Sequence, residues 1–242
     1  EQLREGISLF GEGRLTPCSE QISGIPALDA NLIAYFQAYT NTYAPVSYLR
    51  KIYTQTLECP SVCGISIATR PDCLPDDVLV LLSDLKAAYP DKFIWIELGL
   101  QTIHEQTARF IRRGYELPCF EKAYRELKDR GIPVIVHLIL GLPGETQDMI
   151  LQNIAYMNKL KPFGVKLQLL HILKGTDLGE LYLSRTHGTT DLSDSICTTE
   201  IRSLVDILPI RPLTRDEYLS ILIDCIRHLD PDIVIHRVTG DG

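Results

Sequence analysis

The stretch Ile132–Thr146, IPVIVHLILGLPGET, narrows the folds open to this chain more than any other. An apolar run from Pro133 to Leu140 is interrupted by a single polar residue, His137. It then turns through Gly141, Pro143 and Gly144 into a helix start at Glu145-Thr146. A buried strand, a glycine-rich turn and a helix N-terminus make a β–α unit whose turn can hold a polar ligand at backbone distance. The same plan recurs along the chain. Strands are predicted over Leu32–Ala38, Gly64–Arg70, Phe93–Leu100, Gly164–Leu173 and Asp232–Val238. Helices are predicted over Pro45–Glu58, Pro75–Ala88, His104–Arg112, Pro118–Arg130, Thr146–Leu160 and Tyr218–Leu229. Gly114 breaks one helix, and Gly131 stands where a left-handed cap is cheapest. Thr214-x-x-Glu217 is a capping box.

Strands alternating with helices imply parallel pairing with right-handed crossovers. The expected fold is a single α/β domain over residues 1–242, a closed or partly closed barrel, with an open doubly wound sheet as the alternative. Glu1–Phe10 reads as a helix already under way and Gly11–Ala30 as a surface loop. The polar stretch 183–213 reads as a lid or surface excursion.

A net charge of -7 disfavours tight nucleic-acid binding, which depends on Lys and Arg neutralising phosphates. The chain has no apolar run near the length of a membrane span and no secretory signal pattern, so a cytoplasmic location is expected. Its seven cysteines are an odd number without a paired framework, which fits reduced thiols. Cys59 and Cys63 read as small buried hydrophobes rather than metal ligands.

In an α/β barrel the chemistry sits at the C-terminal ends of the strands. Those ends deliver Gln37 and Asn41, Thr69 and Arg70, Glu97 and Gln101, His137, Gln168 and His171, then His236 and Arg237. Buried polar groups cost free energy unless paired, so a ring of them points to a ligand. Single residues stay open at this level. Glu97 suits a ribose hydroxyl, an ammonium or an interior pair with Arg70, and His137 suits a ligand or a neighbouring carbonyl.

Several motifs, in order and spacing, carry a resemblance. ELGLQT (Glu97–Thr102), Arg113-Gly114, HLILGLPGET (His137–Thr146) and LLHILKGTDL (Leu169–Leu178) resemble the radical S-adenosylmethionine (SAM) superfamily, in the branch of the Elongator catalytic subunit and oxygen-independent coproporphyrinogen dehydrogenase. YFQAYTNTYAP (Tyr35–Pro45), IATRPDCLP (Ile67–Pro75) and VIHRVTGD (Val234–Asp241) are similar to the YhcC-type members. The resemblance implies a partial (β/α)6 barrel whose first strand and cluster loop would precede Glu1. It also implies an iron–sulfur enzyme that cleaves SAM reductively and abstracts hydrogen from a substrate not identified by sequence. By the same resemblance Gln101, Arg113 and His137 would lie near the methionyl and ribose parts of SAM. Ile139 and the turn of Gly141, Leu142, Gly144 and Glu145 would pack on its adenine, and Gln37, Thr69 and Arg70 would line the same cavity. Ala68 replaces a glutamate of the coproporphyrinogen branch, so that contact is lost or supplied by Glu97. Asn41, His171, Lys174, His236 and Arg237 are the candidates to meet substrate.

The superfamily's cysteine triplet, which holds three irons of a [4Fe-4S] cluster, is missing from this sequence. Its cysteines are expected upstream of Glu1, and without them the chain as given is expected to be inactive. The implied electron donor is a flavodoxin or ferredoxin. Two other readings stand beside this one: a non-radical barrel lyase or hydrolase using Glu97, His137 or His236 as acid and base, and a non-catalytic RNA-binding barrel.

Overall fold

The computed structural model describes residues 32–187 and 210–239. The expected helix at 1–10, the loop at 11–30 and most of the expected lid lie outside them. The lid's first residues, 183–187, belong to a helix.

Among the described residues six strands form one sheet in chain order: β1 (Leu32–Phe36), β2 (Val62–Thr69), β3 (Phe93–Gln101), β4 (Val134–Leu140), β5 (Gly164–Leu169) and β6 (Val234–Arg237). Every neighbouring pair is parallel. The crossovers run through α1 (Val46–Leu57), α2 (Asp76–Ala88), α3 (Glu105–Phe110) with α4 (Leu117–Asp129), α5 (Gln147–Leu160), and α6 (Asp177–His187) with α7 (Arg215–His228). A strand ahead of Glu1 would be additional to these six.

Alternation along the strands explains the architecture. Ile65, Ile67, Ile96, Leu98, Val136 and Leu167 turn to one face and are fully buried in the core that also holds Leu49, Leu82, Phe120 and Ile154 of the helices. Intervening residues turn to the other face, which is concave. Its curl is deep enough that Lys166 Nζ on β5 reaches to 3.3 Å from Tyr35 Oη on β1. β1 and β6 do not pair with each other, so the barrel is partial.

Element ends differ from the sequence reading where local chemistry intervenes. β5 stops at Leu169, not Leu173, because Leu170 N makes a last bond to Leu140 O and the chain then turns. The turn passes through Gly175 at φ 76° into α6, where the Thr176 hydroxyl accepts from Gly179 N. α3 ends at Phe110, two residues early, as Arg112 adopts φ 53°. Gly114 and Gly131 take positive φ as expected, and both halves of the Thr214–Glu217 capping box are present.

Candidate functional site

Three layers stack inside the lumen. At the N-terminal end of the strands Phe93 stacks on Trp95 (centroids 4.1 Å apart), and His236 stands edge-on to Trp95 at 5.3 Å. A Cβ on Gly164 would strike the His236 ring, so that glycine admits the imidazole. His236, expected to meet substrate, therefore belongs to the opposite end of the lumen from the mouth. The reason is register: β6 pairs only with the first residues of β5. Burial lowers its pKa.

The middle layer is polar and centred on Glu97, which is 4% exposed. Its Oε1 accepts from Ser66 Oγ (2.7 Å). Its Oε2 accepts from Tyr35 Oη (2.7 Å), His137 Nε2 (2.7 Å) and Lys166 Nζ (2.5 Å). The donors come from β2, β1, β4 and β5. Burial pushes the Glu97 pKa up, but the bonds from His137, Lys166 and Tyr35 outweigh it and hold the carboxyl well below its ordinary range. Three of the four donors converge on Oε2 and one reaches Oε1. Buried among four protein donors, Glu97 faces the interior of the lumen rather than the ribose hydroxyl or ammonium expected of it. Nor does it pair with Arg70, whose guanidinium is bonded to Asp72 (2.7 and 2.9 Å). Its cation is Lys166, which reading strand ends alone passed over. The signal was present in the alternation of GVKLQL: with Val165 and Leu167 facing the helices, Lys166 must face the lumen.

The upper layer opens into a cleft of about 530 Å³ between the ends of β2–β5 and α6. Ile139, Leu142, Leu170 and Leu178 give it apolar walls, and Arg70, Gln101, Arg113 and Tyr115 a polar side. Tyr115 lies between two guanidinium groups, Arg70 at 5.3 Å and Arg113 at 5.0 Å from its centroid. It donates to Gly99 O and Gln101 Oε1, both at 3.0 Å, which leaves the Gln101 amide N–H groups for the cleft. Burial pushes the Tyr115 hydroxyl up to about 12, so it stays a donor. A side chain on Gly99 would meet the Gln101 amide and approach the Tyr115 hydroxyl, so the glycine leaves room for both. At the rim Arg112 pairs with Asp177, joining the end of α3 to the start of α6.

Several expected contacts are engaged elsewhere. Arg113 donates to Leu100 O, Thr102 O, Tyr115 O and Glu105, and its side chain is 1% exposed. It fixes the β3–α3 loop and lines the cleft with four of its five N–H donors already engaged. Thr69 falls on the helix side of β2, bonded to Thr42 Oγ1 (2.5 Å), because adjacent strand residues alternate faces. Asn41 is held by Ala38 O, Tyr39 O and Ala68 O. Gly141 and Gly144 adopt φ 84° and 83°, and the turn they shape seats Leu142 in the cleft. Glu145 accepts from Thr102 Oγ1, leaves Oε2 buried without a partner, and has its pKa raised by burial. Gln37 is exposed at the end of β1. His171 keeps a buried Nε2 with no partner among the described residues, Lys174 is exposed, and Arg237 pairs in register with Lys166. Cys63 Sγ donates to Leu32 O (3.3 Å) and Cys59 packs against the core.

Comparison with known proteins agrees with this geometry. The family model "Radical SAM superfamily" matches residues 24–157. The chain is 39% identical over 214 residues to the protein YtqA of Bacillus subtilis (strain 168), covering 88% of this chain and 58% of that one. It is 34% identical over 210 residues to protein YhcC of Escherichia coli (strain K12), covering 87% and 60%. It thus spans about three fifths of the length of these relatives. Among solved structures the fold is similar to coproporphyrinogen III oxidase (HemN) from Escherichia coli, a radical SAM enzyme, with TM-score 0.54, 18% identity, and 81% and 39% of the two chains covered. With six parallel strands curled around a polar lumen and these matches in hand, the chain belongs to the radical SAM superfamily.

Proposed function

We propose that the whole protein is an enzyme that uses a [4Fe-4S] cluster to cleave S-adenosylmethionine reductively and abstract hydrogen from a substrate at the barrel mouth. The observation that carries this reading is the cleft: its volume, apolar wall and polar side suit a purine nucleoside. Ile139, Leu142 and the Gly141–Glu145 turn would take the base, and the Gln101 amide a hydroxyl or carboxylate. Arg70 lines the same space, and Gln37 and His137 would approach it from β1 and β4. The bound cofactor supplies the hydrogen-abstracting chemistry, and this chain binds it, orients it and keeps water from it.

The described residues do not fit the cluster, since no three His, Cys, Asp or Glu among them converge on a metal-sized site. Its ligands would come from elsewhere in the protein. A flavodoxin or ferredoxin would supply the electron. None of the described helices is long and apolar enough to cross a membrane. The acid–base alternative is weakened for Glu97, whose carboxyl is buried and held ionised by its donors.

The test is anaerobic reconstitution of the full-length protein with iron and sulfide, followed by reduction and an assay for 5'-deoxyadenosine from SAM. Product that disappears when upstream cysteines are changed to alanine supports the reading. A cluster-loaded protein that forms none contradicts it.

A further inference from the structure

Glu97 lies beneath the cleft, buried among four protein donors, and its contact with His137 is the route by which it can act on a ligand. An ionised carboxylate only accepts hydrogen bonds, so the 2.7 Å contact requires His137 to donate from Nε2. The other ring nitrogen, Nδ1, takes no hydrogen bond among the described residues and is not fully buried, the side chain keeping 17% exposure. His137 stands opposite Gly99, which offers no side chain to cover it. The next residue of β4 on the same face, Ile139, lines the cleft.

We infer that Glu97 is a positioning residue: held by Lys166, Tyr35 and Ser66, it fixes His137 as the Nε2–H tautomer, so that Nδ1 faces the ligand as a hydrogen-bond acceptor. Each holder has a separate part. Lys166 matches the carboxylate charge, Tyr35 and Ser66 occupy the lone pairs that would otherwise draw water, and the four partners on four strands prevent the carboxylate from rotating. A carboxylate that orients an imidazole through one nitrogen and leaves the other to work is a general arrangement. It selects for ligands that present a hydroxyl or amine N–H at this depth. Acceptance by Nδ1 rests on the proposed use of the cleft, whereas the tautomer does not.

The experiment uses full-length protein labelled with ¹⁵N-histidine, at pH 8 and without ligand. Two-bond ¹H–¹⁵N correlations report which ring nitrogen carries the proton, and the signal lost in His137→Gln identifies the residue. The expected result is an Nε2–H imidazole. An Nδ1–H tautomer or an imidazolium overturns the inference. Glu97→Gln with Lys166→Met removes both charges together and avoids a lone buried ion. With folding verified by circular dichroism, this double variant is expected to lose the fixed tautomer and to bind S-adenosylhomocysteine about tenfold more weakly by calorimetry. Equal affinity in the double variant and wild type overturns the inference. Absence of binding by the wild type instead overturns the reading of the cleft, and the tautomer result stands independently of it.

Discussion

On its helix side the sheet presents Ile65, Ile67, Ile96, Leu98 and Leu167, all fully buried, while neighbouring positions on the lumen side carry Tyr35, Ser66, Glu97, His137 and Lys166. The outer face is held by non-directional apolar burial, which tolerates exchange of one hydrophobe for another of similar volume. The lumen is held by directional bonds converging on one carboxylate, where a missing partner leaves an ion stranded in low dielectric. The difference shows how a sheet whose first and last described strands do not pair with each other keeps its curl. Helices press on its convex side, and side chains from β1 to β5 are tied together across its concave side.

Breaking the charge balance should have the largest effect. Lys166→Met leaves Glu97 buried without its cation and is expected to lower unfolding free energy by about 3–5 kcal/mol in urea titrations. Adding Glu97→Gln to it should recover most of that loss, because the stranded charge is gone. If the two substitutions simply add, the pair is not coupled as described. On the outer face Ile96→Ala should cost about 2–4 kcal/mol through lost burial and a residual cavity. Adding Glu97→Gln should not rescue that loss, since the two residues lie on opposite faces. A rescue would mean that the two faces do not act as separate layers.

The outer face was legible in the sequence because alternation of β-branched and aliphatic residues marks strands, and glycine and proline mark their ends. The glycine turn at Gly141–Gly144 and the breaks at Gly114 and Gly131 were legible for the same reason, since each position has one physical explanation. The lumen was legible only in part. Strand-end reading found Glu97, His137 and Gln101 but missed Lys166, Tyr35 and Tyr115. These lie one layer deeper or in a loop, where a polar residue looks incidental until register sets it beside another strand. It also placed Thr69 and His236 at the site, although one faces the helices and the other lies at the far end of the lumen. A one-residue difference in face and the short pairing of β6 with β5 decide those positions, and neither is written locally. The anchoring of Arg113 was not legible either, because a sequence does not show which backbone carbonyls converge on a guanidinium.

The most direct test of the central claim, that the cleft above the polar layer takes the adenosyl group, is calorimetric titration of S-adenosylmethionine into full-length, cluster-loaded protein and its Ile139→Glu variant. Ile139 lies on the lumen face and lines the cleft, so a charge there should spare the helix-packed core while filling the space meant for the base. The account predicts saturable binding by the wild type and a loss of about 1.4 kcal/mol or more, at least tenfold in Kd, in the variant. Equal binding by the two proteins would contradict it and move the cofactor to another part of the molecule.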